Sequence, residues 1–92
     1  MPMTVRRQGD WLSAQVGSEM VMMSTERGTY LGLSDIGARI WELIERPRSV
    51  DELCAELVKE FEVTDDVCRA DVDALLNDLA AQGAVALTPT GG

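Results

Sequence analysis

Histidine is absent from this 92-residue chain, and with it go the usual general base and the commonest zinc ligand. Nucleophilic catalysis by a serine or cysteine working with a histidine base is therefore excluded. The two cysteines, Cys54 and Cys68, sit in helical patterns without metal-site spacing, so both read as small buried core residues. No apolar run approaches the roughly 20 residues of a membrane span. None follows Arg6 and Arg7 either, so neither a signal peptide nor an anchor is expected, and the expected compartment is cytoplasmic, with reduced thiols. Positive charge is scarce: 8 basic residues against 16 acidic ones leave a net charge of −8. Such a field repels a phosphate backbone, so nucleic acid is not an expected partner; it either steers in a basic peptide or serves only to keep the chain soluble. Asp65-Asp66 and Asp71–Asp73 make no cation site, since adjacent helical residues do not face one another and no calcium-loop pattern is present. Gly28 and Gly32 lack the Gly-Lys-Ser/Thr ending of a phosphate loop. Neither an enzyme nor a cofactor is expected.

What is present is patterning. Ninety-two residues make one domain. Residues 1–9 are expected to be a flexible arm, 10–87 the folded domain and 88–92 a flexible tail. From Asp10 to Val16 the chain alternates, with Leu12, Ala14 and Val16 on one face and Trp11, Ser13 and Gln15 on the other. Gly17-Ser18 is a two-residue hairpin signal. Glu19–Thr25 follows, apolar on both faces through Met20, Val21, Met22 and Met23, as a central strand is. Glu26-Arg27-Gly28 turns the chain into a third strand at Thr29–Leu33. Ser34 then caps a helix whose stripe is Ile36, Ile40, Trp41, Leu43 and Ile44. Ser49 and Glu52 form a capping box opening a second helix, with Leu53, Leu57, Val58 and Phe61 as its buried face. Thr64 or Asp65 caps a third helix, striped by Cys68, Val72, Leu75, Leu76 and Leu79 and ended by Gly83. Ala84–Leu87 is a candidate closing strand.

Three strands followed by three helices predict an α+β domain, a three-stranded antiparallel sheet packed on three helices in a winged helix-turn-helix-like layout. In that layout the third helix reads DNA. Here it carries Asp66, Asp71, Asp73 and Asp78 against Arg69, which argues against a transcription regulator. The third strand is paired on one side and open on the other unless something covers it. An open strand margin offers alternating N–H and C=O groups, and capture of an extended peptide by strand addition is the chemistry left standing.

The ordered set Arg27-Gly-Thr-Tyr-Leu-Gly-Leu-Ser-Asp-Ile-Gly-Ala-Arg-Ile-Trp-Glu-Leu-Ile44, Pro47, Ser49–Leu53, Glu60-Phe61-Glu62-Val63, Asp71-Val72, Leu75-Leu76, Leu79 and Gly83 resembles the PqqD-like family of recognition elements for ribosomally made precursor peptides. The Arg-Gly-x-Tyr strand and the Gly-Ala-Arg-Ile-Trp helix look most like the standalone lasso peptide chaperones. The resemblance implies that a precursor's leader peptide adds to the third strand, in a cleft shared with the third helix. It assigns the strand side to Arg27, Gly28, Thr29, Tyr30, Leu31, Gly32 and Leu33, and the helix side to Asp71, Val72, Leu75, Asp78 and Leu79. Which flank of that helix faces the cleft is open: Val67, Asp71, Ala74 and Asp78 lie on one side, Arg69, Asp73 and Leu76 on the other. Implied partners are the leader, a leader peptidase of the cysteine protease class and an ATP-dependent cyclase, with the chain a monomer or weak homodimer. The alternative within the family is a chaperone for a radical-SAM or other peptide-modifying enzyme.

Overall fold

The computed structural model describes residues 3–89. In chain order the elements are β1 (Met3–Arg7), β2 (Trp11–Val16), β3 (Glu19–Ser24), β4 (Thr29–Leu33), α1 (Asp35–Leu43), β5 (Arg48–Ser49), α2 (Val50–Glu60), α3 (Asp65–Ala81) and β6 (Val85–Pro89). The expected meander is present as an antiparallel sheet in the order β2-β3-β4. Its register runs from Val16↔Glu19 to Trp11↔Ser24 on one side of β3, and from Met20↔Leu33 to Ser24↔Thr29 on the other. Residues directly opposite share a face. Met22 and Leu31 therefore point inward with Met20, Leu33 and Ser24, while Val21 and Met23 point outward with Gly32 and Tyr30. β3 is central, as its apolar character implied, but only its inner face is covered. On the outer face Leu12, Val16 and Tyr30 are exposed.

The turn into β4 is held from a distance by Asp10. Its carboxylate accepts hydrogen bonds from Ser24 Oγ at 2.6 Å, from the Thr25 hydroxyl and from the backbone N–H of Glu26 at 2.9 Å. Ser24 Oγ in turn accepts from the Arg27 backbone N–H. Gly28 takes φ +63 there, a conformation that favours glycine, and donates its N–H to the Ser24 carbonyl at 2.8 Å. The donors from Ser24, Thr25 and Glu26 hold the Asp10 carboxyl well below the usual carboxylate range. A depressed folded-state pKa gives stability that is complete above the unfolded value and lost as pH falls through the folded one. Asp10→Asn is therefore expected to destabilise the domain at neutral pH, and the deficit relative to wild type should shrink as pH drops below about 4. Parallel acid titrations followed by circular dichroism check this; a deficit constant with pH would mean that the carboxylate charge is irrelevant.

The helices start where capping chemistry puts them. Ser34 Oγ accepts from the Gly37 N–H at 3.2 Å, and the Ser49–Glu52 capping box is complete in both directions. Thr64 sits at the N-cap of α3 without a cap hydrogen bond; Asp66 accepts from its hydroxyl instead. The buried faces are Ile40, Trp41, Leu43 and Ile44 from the first helix, Leu53, Cys54 and Leu57 from the second, and Cys68, Val72, Leu76 and Leu79 from the third. Val58, expected inside, is exposed, because α2 rolls Cys54 inward against Cys68 of α3. A bidentate Arg39–Glu60 pair joins α1 to the end of α2 at 2.7 and 2.9 Å. Arg69 joins the start of α3 to Asp51 of α2 at 2.8 Å.

One expectation is overturned. Within the expected flexible arm of residues 1–9, Met3–Arg7 forms β1, the middle strand of a second antiparallel sheet in the order β5-β1-β6, and residues 1 and 2 lie outside the described part. Thr88 and Pro89, expected at the start of a flexible tail, belong to β6 and pair with Thr4 and Met3; residues 90–92 lie outside the described part. Val5 is fully buried in the common core. The adjoining arginines disguised this strand. Arg7 places its guanidinium 4.3 Å from the centroid of the Trp41 ring and donates to the Trp41 carbonyl near the end of α1, so its charge finds a site against the protein.

Candidate functional site

β4 pairs with β3 on one side and with no other strand among the described residues. The phase of its free side follows from the first hairpin. A two-residue turn closes with a hydrogen-bonded pair, here Val16 and Glu19, and such pairs alternate along an antiparallel ladder. Glu19, Val21 and Met23 therefore address β2, and Met20, Met22 and Ser24 address β4. Thr29, Leu31 and Leu33 in turn direct their backbone groups at β3, which leaves the N–H and C=O of Tyr30 and Gly32 facing the open margin.

Beside that margin is a hollow of about 250 Å³ between β4 and the C-terminal half of α3. Leu31, Gly32 and Leu33 line it from the strand, and Leu75, Asp78, Leu79, Ala81 and Gln82 from the helix. Leu33 and Leu79 are buried and form its floor, while Leu31 and Leu75 are half-buried walls. Asp78 is the single charged side chain in the lining. Gly37 of α1 sits beside the hollow: a Cβ there would lie 3.4 Å from Leu75 Cδ2 and 3.5 Å from Leu33 Cβ, in van der Waals contact with both. The hollow is apolar at its base with one carboxylate on its lip, suited to apolar anchors and a neighbouring basic group.

The structure answers which flank of α3 faces the strand. Leu75, Asp78 and Gln82 lie three and four residues apart on one helix face, and Asp71 continues that stripe beyond the hollow. The opposite flank is engaged elsewhere, Arg69 with Asp51 of α2 and Leu76 in the core. Of the strand and helix residues named from the sequence, Leu31, Gly32, Leu33, Leu75, Asp78 and Leu79 come together around the hollow. Val72 does not: it is fully buried among the helices. Tyr30 projects from the opposite face of the sheet and is 70% exposed, not part of the groove wall. Thr29 directs its hydroxyl to the Arg27 carbonyl at 3.3 Å.

Arg27 has a positioning role. Its guanidinium lies against Gly83, where an added Cβ would come within 2.5 Å of the terminal nitrogen. Gly83 has φ +78, so that site requires glycine for its backbone as well as for the space. α3 has no basic residue in its last turn, and Arg27 brings a cation to that negative helix end from the β3–β4 turn. The contact ties the strand to the helix across one end of the hollow. Ala81 and Gln82 were missed as lining residues, although Gln82 sits seven positions after Leu75 and so on the same face. Burial and the adjacent Cys68 push the Cys54 thiol up to about 11, so it stays protonated near neutral pH and supplies no thiolate.

Residues 19–85 match the family model described as Coenzyme PQQ synthesis protein D (PqqD). The chain belongs to the PqqD family. The matched span runs from β3 to the first residue of β6 and contains the whole hollow. Among solved structures, this PqqD-family chain is similar to TbiB1 in complex with the TbiA(beta) leader peptide, at 28% identity and a TM-score of 0.75, over 87% of this chain and 93% of that one. It is also similar to a lasso peptide synthetase B1 complexed with the leader peptide, at 25% identity and a TM-score of 0.76, over 89% and 96% of the two chains. No curated protein matches the sequence. Among the described residues of this PqqD-family member, no helix is long and apolar enough to cross a membrane.

Proposed function

We propose that this protein is a peptide-binding chaperone that captures the leader of a ribosomally made precursor, of the lasso peptide class, by strand addition to β4. The observation that carries the proposal is the open margin of β4, with the N–H and C=O of Tyr30 and Gly32 facing outward, beside an apolar hollow. Both solved relatives described above are leader-peptide complexes, which supports the same reading. A guest of ~6 residues runs about 20 Å along the strand. Each backbone hydrogen bond contributes roughly 0.5–1.5 kcal/mol net, and each apolar anchor against Leu31, Leu75 and Leu79 about 1.5–3 kcal/mol. After ordering costs, affinities on the order of nanomolar to micromolar remain. The chain performs no chemistry in this reading. It works in the cytoplasm and presents the leader to a cysteine-class leader peptidase and an ATP-dependent cyclase.

Titrating a fluorescently labelled leader from the accompanying precursor tests the proposal by anisotropy. Saturable binding with a Kd at or below the micromolar range is expected, and a leader that fails to bind at any accessible concentration would sink it. Charge makes a separate expectation. Asp78 on the lip and Asp71 further along the stripe give the helix side of the cleft a negative field. Asp78→Lys should slow association of a leader with net positive charge several-fold at low salt, an effect that fades toward 0.5 M salt as screening shortens its range. Stopped-flow on-rates at two ionic strengths read this out.

A further inference from the structure

We infer that the guest strand is gripped on both faces of the sheet, and that the outer face over Gly32 takes one bulky apolar side chain of the leader. This rests on the strand-addition reading and specifies what the leader must carry. A strand laid along β4 sends alternate side chains to opposite faces. Those beside Leu31 and Leu33 enter the hollow against α3, and the one beside Gly32 emerges on the side of Tyr30. On that side there is room for it. No atom lies within 4 Å of where a Cβ on Gly32 would stand.

The surroundings define its chemistry. The row Leu12–Met23–Tyr30 crosses the outer face with large side chains, whereas the next row, Ala14–Val21–Gly32, shrinks to nothing at the open margin. The result is a step whose riser is the exposed Tyr30 and whose tread is Val21. It borders an open depression of about 370 Å³ among Leu12, Val16, Val21, Met23 and Tyr30, with no charged residue in its lining. Asp78, the groove's carboxylate, is on the other side of the strand. The lining offers no charge to a basic side chain, while an aliphatic or aromatic one covers Val21 and packs on the Tyr30 ring. Neighbouring residues of a strand face opposite ways, so the leader must carry two adjacent apolar residues, one for each face.

A size-swap experiment tests this, with the labelled leader bearing alanine at each position in turn, against wild type, Gly32→Ala and Gly32→Val. Both variants should fold, since the added atoms enter open space and valine favours strands; circular dichroism verifies it. One leader position, adjacent to a groove anchor, should lose about tenfold in affinity on truncation to alanine. Gly32→Val should cost the intact leader a similar factor, and the two changes together should cost much less than their product. If losses simply multiply, or neither change matters while Gly32→Pro still blocks binding, the outer subsite is overturned and strand addition stands. If Gly32→Pro leaves leader binding intact, strand addition itself falls and this inference with it. A leader-free dimer dissociated by Gly32→Val would assign the step to a second copy of the chain, and would likewise overturn it.

Discussion

Leader binding should be lost, by at least tenfold in Kd, when Gly32 is replaced by proline, with the domain still folded. The Gly32 N–H points away from β3, so proline breaks no bond of the existing sheet. It removes one donor to the guest, worth roughly 0.5–1.5 kcal/mol, and its ring stands where the guest backbone must approach. Leu31→Pro would be the wrong probe, although Leu31 lines the groove. Leu31 directs its N–H at Met22, so proline there would attack the meander and mix unfolding with lost recognition. Anisotropy titration of Gly32→Pro beside a thermal melt separates the two effects. An unchanged Kd in a folded variant would show that the open margin is not the site of capture.

Deleting residues 1–7 should unfold the protein or lower its Tm by roughly 10 °C or more. β1 lies between β5 and β6, so its removal leaves both without a partner. Five paired positions on the β6 side disappear, each backbone bond lost costing about 0.5–1.5 kcal/mol. Losing the fully buried Val5 costs about 1.5–3 kcal/mol more. The stack of Arg7 on Trp41 and its bond to the Trp41 carbonyl go too. Together these are a large share of the 5–15 kcal/mol that holds an ordinary domain together. A loose arm would be removable without effect, so a melting curve coincident with wild type would contradict the second sheet.

That strand marks the limit of what could be read from the chain. The meander, the three helices, Ser34, the Ser49–Glu52 box and Gly83 were all legible, because local rules of alternation, capping and helix ending govern them. β1 was not, since Met3–Arg7 is short, ends in two arginines, and is a strand only through partners more than forty residues away. Likewise Arg27 looked like part of a binding strand, and its contact with Gly83 exists only once α3 has turned its end toward the meander. Val72 and Leu75 share an apolar stripe in the sequence. Only packing decides that Val72 goes to the core and Leu75 to the groove. The exposure of Tyr30 follows from the same alternation that put Leu31 inside, but whether helices cover one face of the sheet or both is a tertiary matter.

The pairing of Met3 with Pro89 carries a practical consequence. These two residues meet at one corner, in the sheet that does not include β4. A short covalent bridge between positions 3 and 89 would tie β1 to β6 and hold that sheet closed. The same corner offers a point for tethering a dye away from β4.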